Sequence, residues 1–226
     1  MARKVLFAAA AALLAAACSY RSSVDLVPFE TRPEAPPIAA GVYCGLDVLR
    51  DAETTADPAE CGRIDWNAER REYAVSDLPE DDDGPDIYAV RQLEPCVLVV
   101  ERDSGEGEAP YEINTLVVAG DAFSVVFPVE DVAMEPLMAR HPGVEFGELD
   151  DDFYIRGGSM ADIDSFLADA TRVALAEQRD RDEDVEVTVL AGQGGDPGPL
   201  SAAQSAAAAD VRAKAAELAA QAAPAP

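Results

Sequence analysis

The chain has 226 residues, of which 17 are lysine or arginine and 44 are aspartate or glutamate, giving a formal net charge of −27 at pH 7. We expect no nucleic-acid partner, because binding to phosphates requires a basic surface. The basic pair Arg70-Arg71 is flanked by Glu69 and Glu72, whose negative charges offset its positive charge. The same excess of negative charge should repel anionic lipid surfaces and keep the protein soluble.

The first 17 residues have the order of an export signal. Arg3 and Lys4 precede an apolar stretch from Val5 to Ala17, which ends at Cys18. A membrane-spanning helix needs about 20 apolar residues, so this stretch is too short to span a bilayer. The sequence therefore predicts a cleavage site near its end.

The sequence Leu14-Ala15-Ala16-Ala17-Cys18 resembles the lipobox of bacterial lipoproteins. That resemblance implies that residues 1–17 are a signal peptide removed before Cys18, and that lipid, including palmitate, is attached to Cys18. Ser19, rather than aspartate, at the next position implies sorting to the outer membrane, with the domain facing the periplasm. The alternative is an ordinary secretory signal, cut after Ala15 or Ala17.

Three further cysteines follow, Cys44, Cys61 and Cys96, and disulfides persist outside the cytoplasm. We favour a bond between Cys44 and Cys61, because each lies beside a glycine in turn-rich sequence. Cys96 opens an apolar run and is interpreted as a buried free thiol. The two other pairings remain open.

The composition of the chain changes between residues 18–40 and residues 41–190. Residues 18–40 contain four prolines and little periodicity, which predicts an extended tether. Residues 41–190 form the predicted globular domain. Its first part alternates apolar and polar residues between turn signals, as in Ile64 and Trp66, followed by Tyr73 and Val75. Residues 96–102 indicate a strand buried on both faces, and residues 111–118 and 123–129 a second hairpin.

A helix is predicted at about residues 159–179, where Ser159 and Asp162 form a start signal resembling a capping box. Apolar residues from Ile163 to Ala174 then repeat at helical spacing. Val185 to Leu190 alternates like a final strand. The predicted fold class is α+β: a mainly antiparallel sheet, one packed helix and a C-terminal alanine-rich helical tail. Residues 191–199 are assigned as a linker and residues 200–226 as that tail, predicted to be a helix without a stable dock that is loosely held, binds a partner or frays.

No catalytic or metal-binding constellation is recognised. Pro197 interrupts the glycine-rich stretch that begins at Gly192, where a dinucleotide site would need free backbone amides. Ser159 is interpreted as a helix cap, and His141, the only histidine, as a surface residue in a turn. The acidic runs 80–83 and 150–152 do not match a calcium loop. We therefore predict no metal and no cofactor.

The sequence leaves three functional hypotheses. The first is a lipid-anchored, non-catalytic envelope lipoprotein that binds an envelope protein partner, the tail serving as a docking element. The second is a small-molecule carrier in which the strands curve into a barrel with an apolar lumen, because Gly41-Val42-Tyr43 resembles the first motif of the lipocalins, with tyrosine in place of tryptophan. The third is a hydrolase with an unfamiliar carboxylate site.

Overall fold

The computed structural model describes residues 19–46, 61–78, 84–105, 107–129, 131–149, 152–192 and 200–222. Strands and helices are numbered here in chain order. The strands are β1 (Tyr20–Ser22), β2 (Gly41–Gly45), β3 (Cys61–Asn67), β4 (Glu72–Asp77), β5 (Asp86–Glu94), β6 (Val97–Asp103), β7 (Tyr111–Ala119), β8 (Ala122–Val126), β9 (Val144–Leu149), β10 (Asp152–Gly158) and β11 (Thr188–Gly192). The helices are α1 (Asp131–Arg140), α2 (Met160–Asp180) and α3 (Ala202–Ala220).

Eight of the strands close into an antiparallel β-barrel. Strands β2 to β8 follow one another around the wall, and β11 pairs with both β8 and β2 to close it. The two predicted hairpins are confirmed as β3–β4 and β7–β8. The chain turns at Gly120 between β7 and β8, with a positive φ of 54° that glycine adopts without strain.

A three-stranded extension leaves the barrel at β7. Strand β1 pairs antiparallel with β7 and parallel with β10, and β9 pairs with β10. The outer wall and this extension carry helices α2 and α3, so the apolar residues form two separate clusters, one inside the barrel and one between its wall and the helices.

Helix α2 begins as the sequence predicts. The Ser159 side chain accepts a hydrogen bond from the backbone N–H of Asp162 at 3.2 Å. Its apolar face, with Ile163, Phe166 and Leu167, is buried against the outer barrel wall and the extension. Across the described part of the chain, the helices lack the length and apolar character of a bilayer-crossing segment.

The predicted fold class, α+β with one packed helix and a helical tail, is wrong. The sheet closes on itself as a barrel, and three helices and three extra strands accompany it. Closure depends on β11, which follows β8 by more than 60 residues along the chain. Alternation within a strand predicts which faces are buried, but it does not identify so distant a pairing partner.

Two predicted segments pack differently from our expectation. Residues 19–40 are not a free tether, because β1 lies within the sheet and Leu26, Val27 and Ile38 are buried. The tail is docked: in α3, Val211 and Leu218 are buried with three alanines against α2 and the barrel. The predicted final strand is also shorter and later than expected, at Thr188–Gly192.

Candidate functional site

The cysteines are placed largely as predicted. Cys44 and Cys61 are paired residues on the neighbouring strands β2 and β3, and a disulfide joins them, with their Cα atoms 4.3 Å apart. Cys96 is a free thiol, half-buried rather than fully buried, in the turn between β5 and β6. Burial raises the pKa of the Cys96 thiol, which favours its unreactive protonated form. Cys18 lies outside the described residues.

His141 is buried, so the predicted surface position is wrong. Its Nε2 atom lies 3.1 Å from Oδ2 of Asp169, and its ring meets the edge of Phe166. These contacts tie the end of α1 to α2. The role of Ser159 as a helix cap accounts for its hydroxyl, and neither residue indicates a nucleophilic site.

The predicted acidic runs give no metal site among the described residues. Residues 80–83, 150 and 151 lie outside the described ranges, and Asp152 is exposed at the start of β10. Within the described ranges, no group of three or more histidine, cysteine, aspartate or glutamate side chains is arranged to hold a metal ion.

The interior of the barrel is filled by its own side chains. Tyr43 packs on Phe123 with ring centroids 5.4 Å apart, and Trp66 packs on Tyr73 at 4.8 Å. The Tyr73 hydroxyl donates to the carbonyl of Ile38 at 2.7 Å and accepts from its N–H at 2.8 Å, which holds the buried Ile38 against this interior. A residual cavity of about 20 Å³ remains, whereas small-molecule sites occupy about 300–1,000 Å³.

A polar cleft of about 630 Å³ lies outside this filled interior. It lies between the start of β5, the end of β6 and the chain segment near Asp25. We call it the polar cleft. Its lining residues are Asp25, Arg32, Arg70, Glu72, Pro85, Asp86, Ile87, Ala89, Glu101, Arg102, Asp103, Ser104 and Tyr111.

The three arginines of the polar cleft are already ion-paired. Arg32 and Arg70 lie 2.6 Å and 3.0 Å from the carboxylate of Glu72. Arg102 contacts Asp86 at 2.8 Å and also Glu112, a buried neighbour on β7, at 2.6 Å. Their charge is therefore neutralised locally, and the excess carboxylates leave the cleft suited to a cationic group rather than to an anion.

No family model, curated protein or solved structure matches the chain.

Glu101 forms the floor of the polar cleft and is only 4% exposed. Its Oε2 atom accepts a hydrogen bond from the backbone N–H of Leu26 at 2.7 Å. Burial, with the nearby negative charge of Asp25 as a smaller contribution, raises the pKa of Glu101 to about 8. At neutral pH its carboxyl is therefore mostly protonated.

Neither Glu101 nor the cleft was identified from the sequence. The signal available was a carboxylate at the end of the run Val97 to Val100, inside a strand predicted to be buried on both faces. A buried carboxylate needs a partner or a proton, so such a residue marks a special environment. The residues that complete the cleft come from three separate parts of the chain, and only the fold brings them together.

Proposed function

We propose that this chain is a lipid-anchored lipoprotein of the bacterial envelope that binds an envelope protein and has no catalytic activity. In this proposal it is exported, cut before Cys18 and held by lipid on the outer membrane, facing the periplasm. Support comes from the export signal, from the lipobox resemblance and from the disulfide between Cys44 and Cys61, a bond that persists in oxidising compartments.

The observation that carries the binding role is the contrast between the filled barrel and the open polar cleft. A carrier needs an enclosed apolar cavity, and the interior leaves about 20 Å³. The cleft is open, charged and rimmed by Ile87, which is 44% exposed. An apolar residue beside carboxylates suits a partner segment that presents a basic side chain next to an apolar one.

Asp25 and Asp103 are the residues through which we expect this partner to be recognised. Each uses one carboxylate oxygen to accept a backbone N–H, from Val27 and Gly105 respectively, which orients the side chain at the cleft. A charged hydrogen bond from a basic partner to either carboxylate would be stronger than a neutral one.

Site-specific photo-crosslinking in living cells tests the binding role. A photoreactive amino acid at Ile87 should capture a protein partner, whereas the same residue at the exposed Arg156 on β10 should not. The double variant Asp25→Asn/Asp103→Asn should lose the Ile87 adduct. The variant Glu145→Gln/Glu148→Gln, which removes two exposed charges on β9, should keep it. Capture at Arg156 alone, or at neither position, would contradict the proposal.

The lipid anchor has its own test. Metabolic labelling with palmitate should mark the wild-type protein and leave Cys18→Ala unlabelled. Mass spectrometry of the membrane fraction should find an N-terminal Cys18 with attached lipid. A mature protein that begins at Ser19 or earlier without lipid would remove this part of the proposal.

The two other hypotheses have less support. A β-barrel is compatible with a lipocalin-like carrier, but the filled interior does not favour one. For a hydrolase, Glu101 beside Asp25 is the carboxyl pair that would be examined first. Glu101 is nevertheless 4% exposed and already holds the Leu26 amide, which indicates a structural role.

A further inference from the structure

The distance between Cys18 and the folded domain is very short. Ser19 is the only residue between Cys18 and strand β1, which begins at Tyr20. Successive Cα atoms are about 3.8 Å apart, so Cys18 can lie at most about 8 Å from the first sheet residue. A lipid on Cys18 would hold this part of the domain at the surface of the bilayer.

The segment after Cys18 is held firmly, so it cannot unwind easily to act as a longer tether. Tyr20 is buried against Phe166, and its hydroxyl accepts from the N–H of Val129 at 3.1 Å. The N–H of Ser23 donates to the carbonyl of Ile155 at 2.9 Å. Further on, the buried side chains of Arg91 and Glu101 bind both backbone groups of Leu26.

The sheet register shows what lies beside the attachment point. Strands β8 and β1 occupy the same edge of β7, where Val126 pairs with Thr115 and Tyr20 pairs with Ile113. One residue of β7 separates these pairs, so the end of β8 and the start of β1 meet there. Phe127, the next residue after β8, is 40% exposed at this junction.

Besides Phe127, two large apolar side chains are exposed in the described ranges, and each already has a contact or a site of its own. Phe29 lies beneath the guanidinium of Arg71, 5.0 Å from its ring centroid, and Ile87 lines the polar cleft. Phenylalanine side chains of membrane-bound surfaces are buried at the boundary between the lipid headgroups and the acyl chains.

We infer that the junction of β8 and β1 faces the bilayer and that Phe127 enters its interfacial layer when Cys18 is anchored. This inference rests on the proposed lipid anchor. The expected surface is zwitterionic phospholipid, because the exposed Glu148 and Asp152 nearby and the net charge of −27 disfavour anionic lipid.

Tryptophan quenching on vesicles tests the orientation. The mature protein, with Trp66→Phe and Cys96→Ala, is coupled through the Cys18 thiol to phosphatidylcholine vesicles that contain a maleimide lipid. A single tryptophan is then placed by Phe127→Trp or, as the matched control, by Ile87→Trp. Brominated phosphatidylcholine should quench the tryptophan at 127 severalfold more than that at 87, and a flexible insertion of about 12 residues after Cys18 should remove the difference.

Equal quenching at the two positions, or stronger quenching at 87, would overturn the inference. The chemical coupling fixes the anchor whether or not cells attach lipid to Cys18. A negative result therefore bears on the orientation alone, whereas palmitate labelling in cells bears on the anchor.

Discussion

Two buried residues on the outer barrel wall, Arg91 and Glu101, hold the N-terminal segment in place. The Nε atom of Arg91 donates to the carbonyl of Leu26 at 2.6 Å, and Glu101 accepts from the N–H of the same residue. Arg91 also pairs with Asp164 on α2. Removing one partner of such a buried group leaves the other unsatisfied, so these contacts specify one path for residues 24–27.

Glu101 should make stability depend on pH. Its pKa of about 8 in the folded protein lies above the ordinary value of 4.5. Its contribution to the free energy of unfolding is therefore fully present below pH 4.5 and is lost as the pH rises through about 8. Glu101→Gln, which retains an oxygen for the Leu26 amide but cannot ionise, should reduce the fall in Tm between about pH 6 and about pH 9.

Thermal melts of a matched variant separate this effect from the general repulsion among 44 acidic residues. Glu145→Gln removes one exposed carboxylate on β9 and should keep the wild-type pH dependence. If the Glu101 and Glu145 variants behave alike, the buried carboxyl is not the group that titrates.

At the scale of elements, α3 is an integral part of the fold. Its start is a capping box, in which the Ser201 hydroxyl accepts from the Gln204 N–H and the Gln204 side chain accepts from the Ser201 N–H. Gln204 also donates to the carbonyl of Leu190 on β11 at 2.6 Å. The helix is therefore attached to the strand that closes the barrel, and it is not available as a free docking element.

We expect Leu218→Ala to lower the free energy of unfolding by about 2–5 kcal/mol, because the change leaves a cavity between α3 and α2. Glu217→Ala, at an exposed neighbouring position, should change it by no more than about 0.5 kcal/mol. Urea denaturation of the two variants measures the difference. A Leu218 variant as stable as wild type would show that α3 contributes little packing energy.

At the scale of the whole molecule, the closed barrel provides a second hydrophobic core rather than a container. Burial raises the pKa of Tyr43, Tyr73 and Tyr88 well above the usual range, so their hydroxyls remain neutral within it. Aromatic side chains fill a large volume for few residues, which suits a small barrel interior.

A filled interior predicts that the protein carries no apolar ligand. Native mass spectrometry of the purified protein should show the mass of the chain, with the lipid on Cys18 if the proposed anchor is present, and no further bound molecule. Apolar fluorescent probes should not bind the wild-type protein. Binding should appear only in Phe123→Ala, because that substitution opens the interior. A stoichiometric co-purified lipid that detergent exchange cannot remove would favour the carrier hypothesis instead.

Local features were predictable from sequence alone. Turn chemistry and period-two alternation identified the β3–β4 and β7–β8 hairpins, and a capping serine with helical spacing identified α2. The pairing of Cys44 with Cys61 was favoured by their turn-rich surroundings, with the two other pairings left open, and it is the one found. Each of these depends on residues close together in the chain, where backbone geometry and side-chain period act directly.

Only the tertiary structure decided the closure of the barrel by β11, the docking of α3, and the burial of Glu101 and His141. The polar cleft also belongs to this group, because it combines residues from three distant segments. The sequence alone identified β3, β4, β7, β8 and α2, whose patterns arise from neighbouring residues, whereas β1, α1, β9 and β10 were not predicted. Their partners were set by closure of the whole sheet, since a strand presents the same alternation whichever distant strand it pairs with.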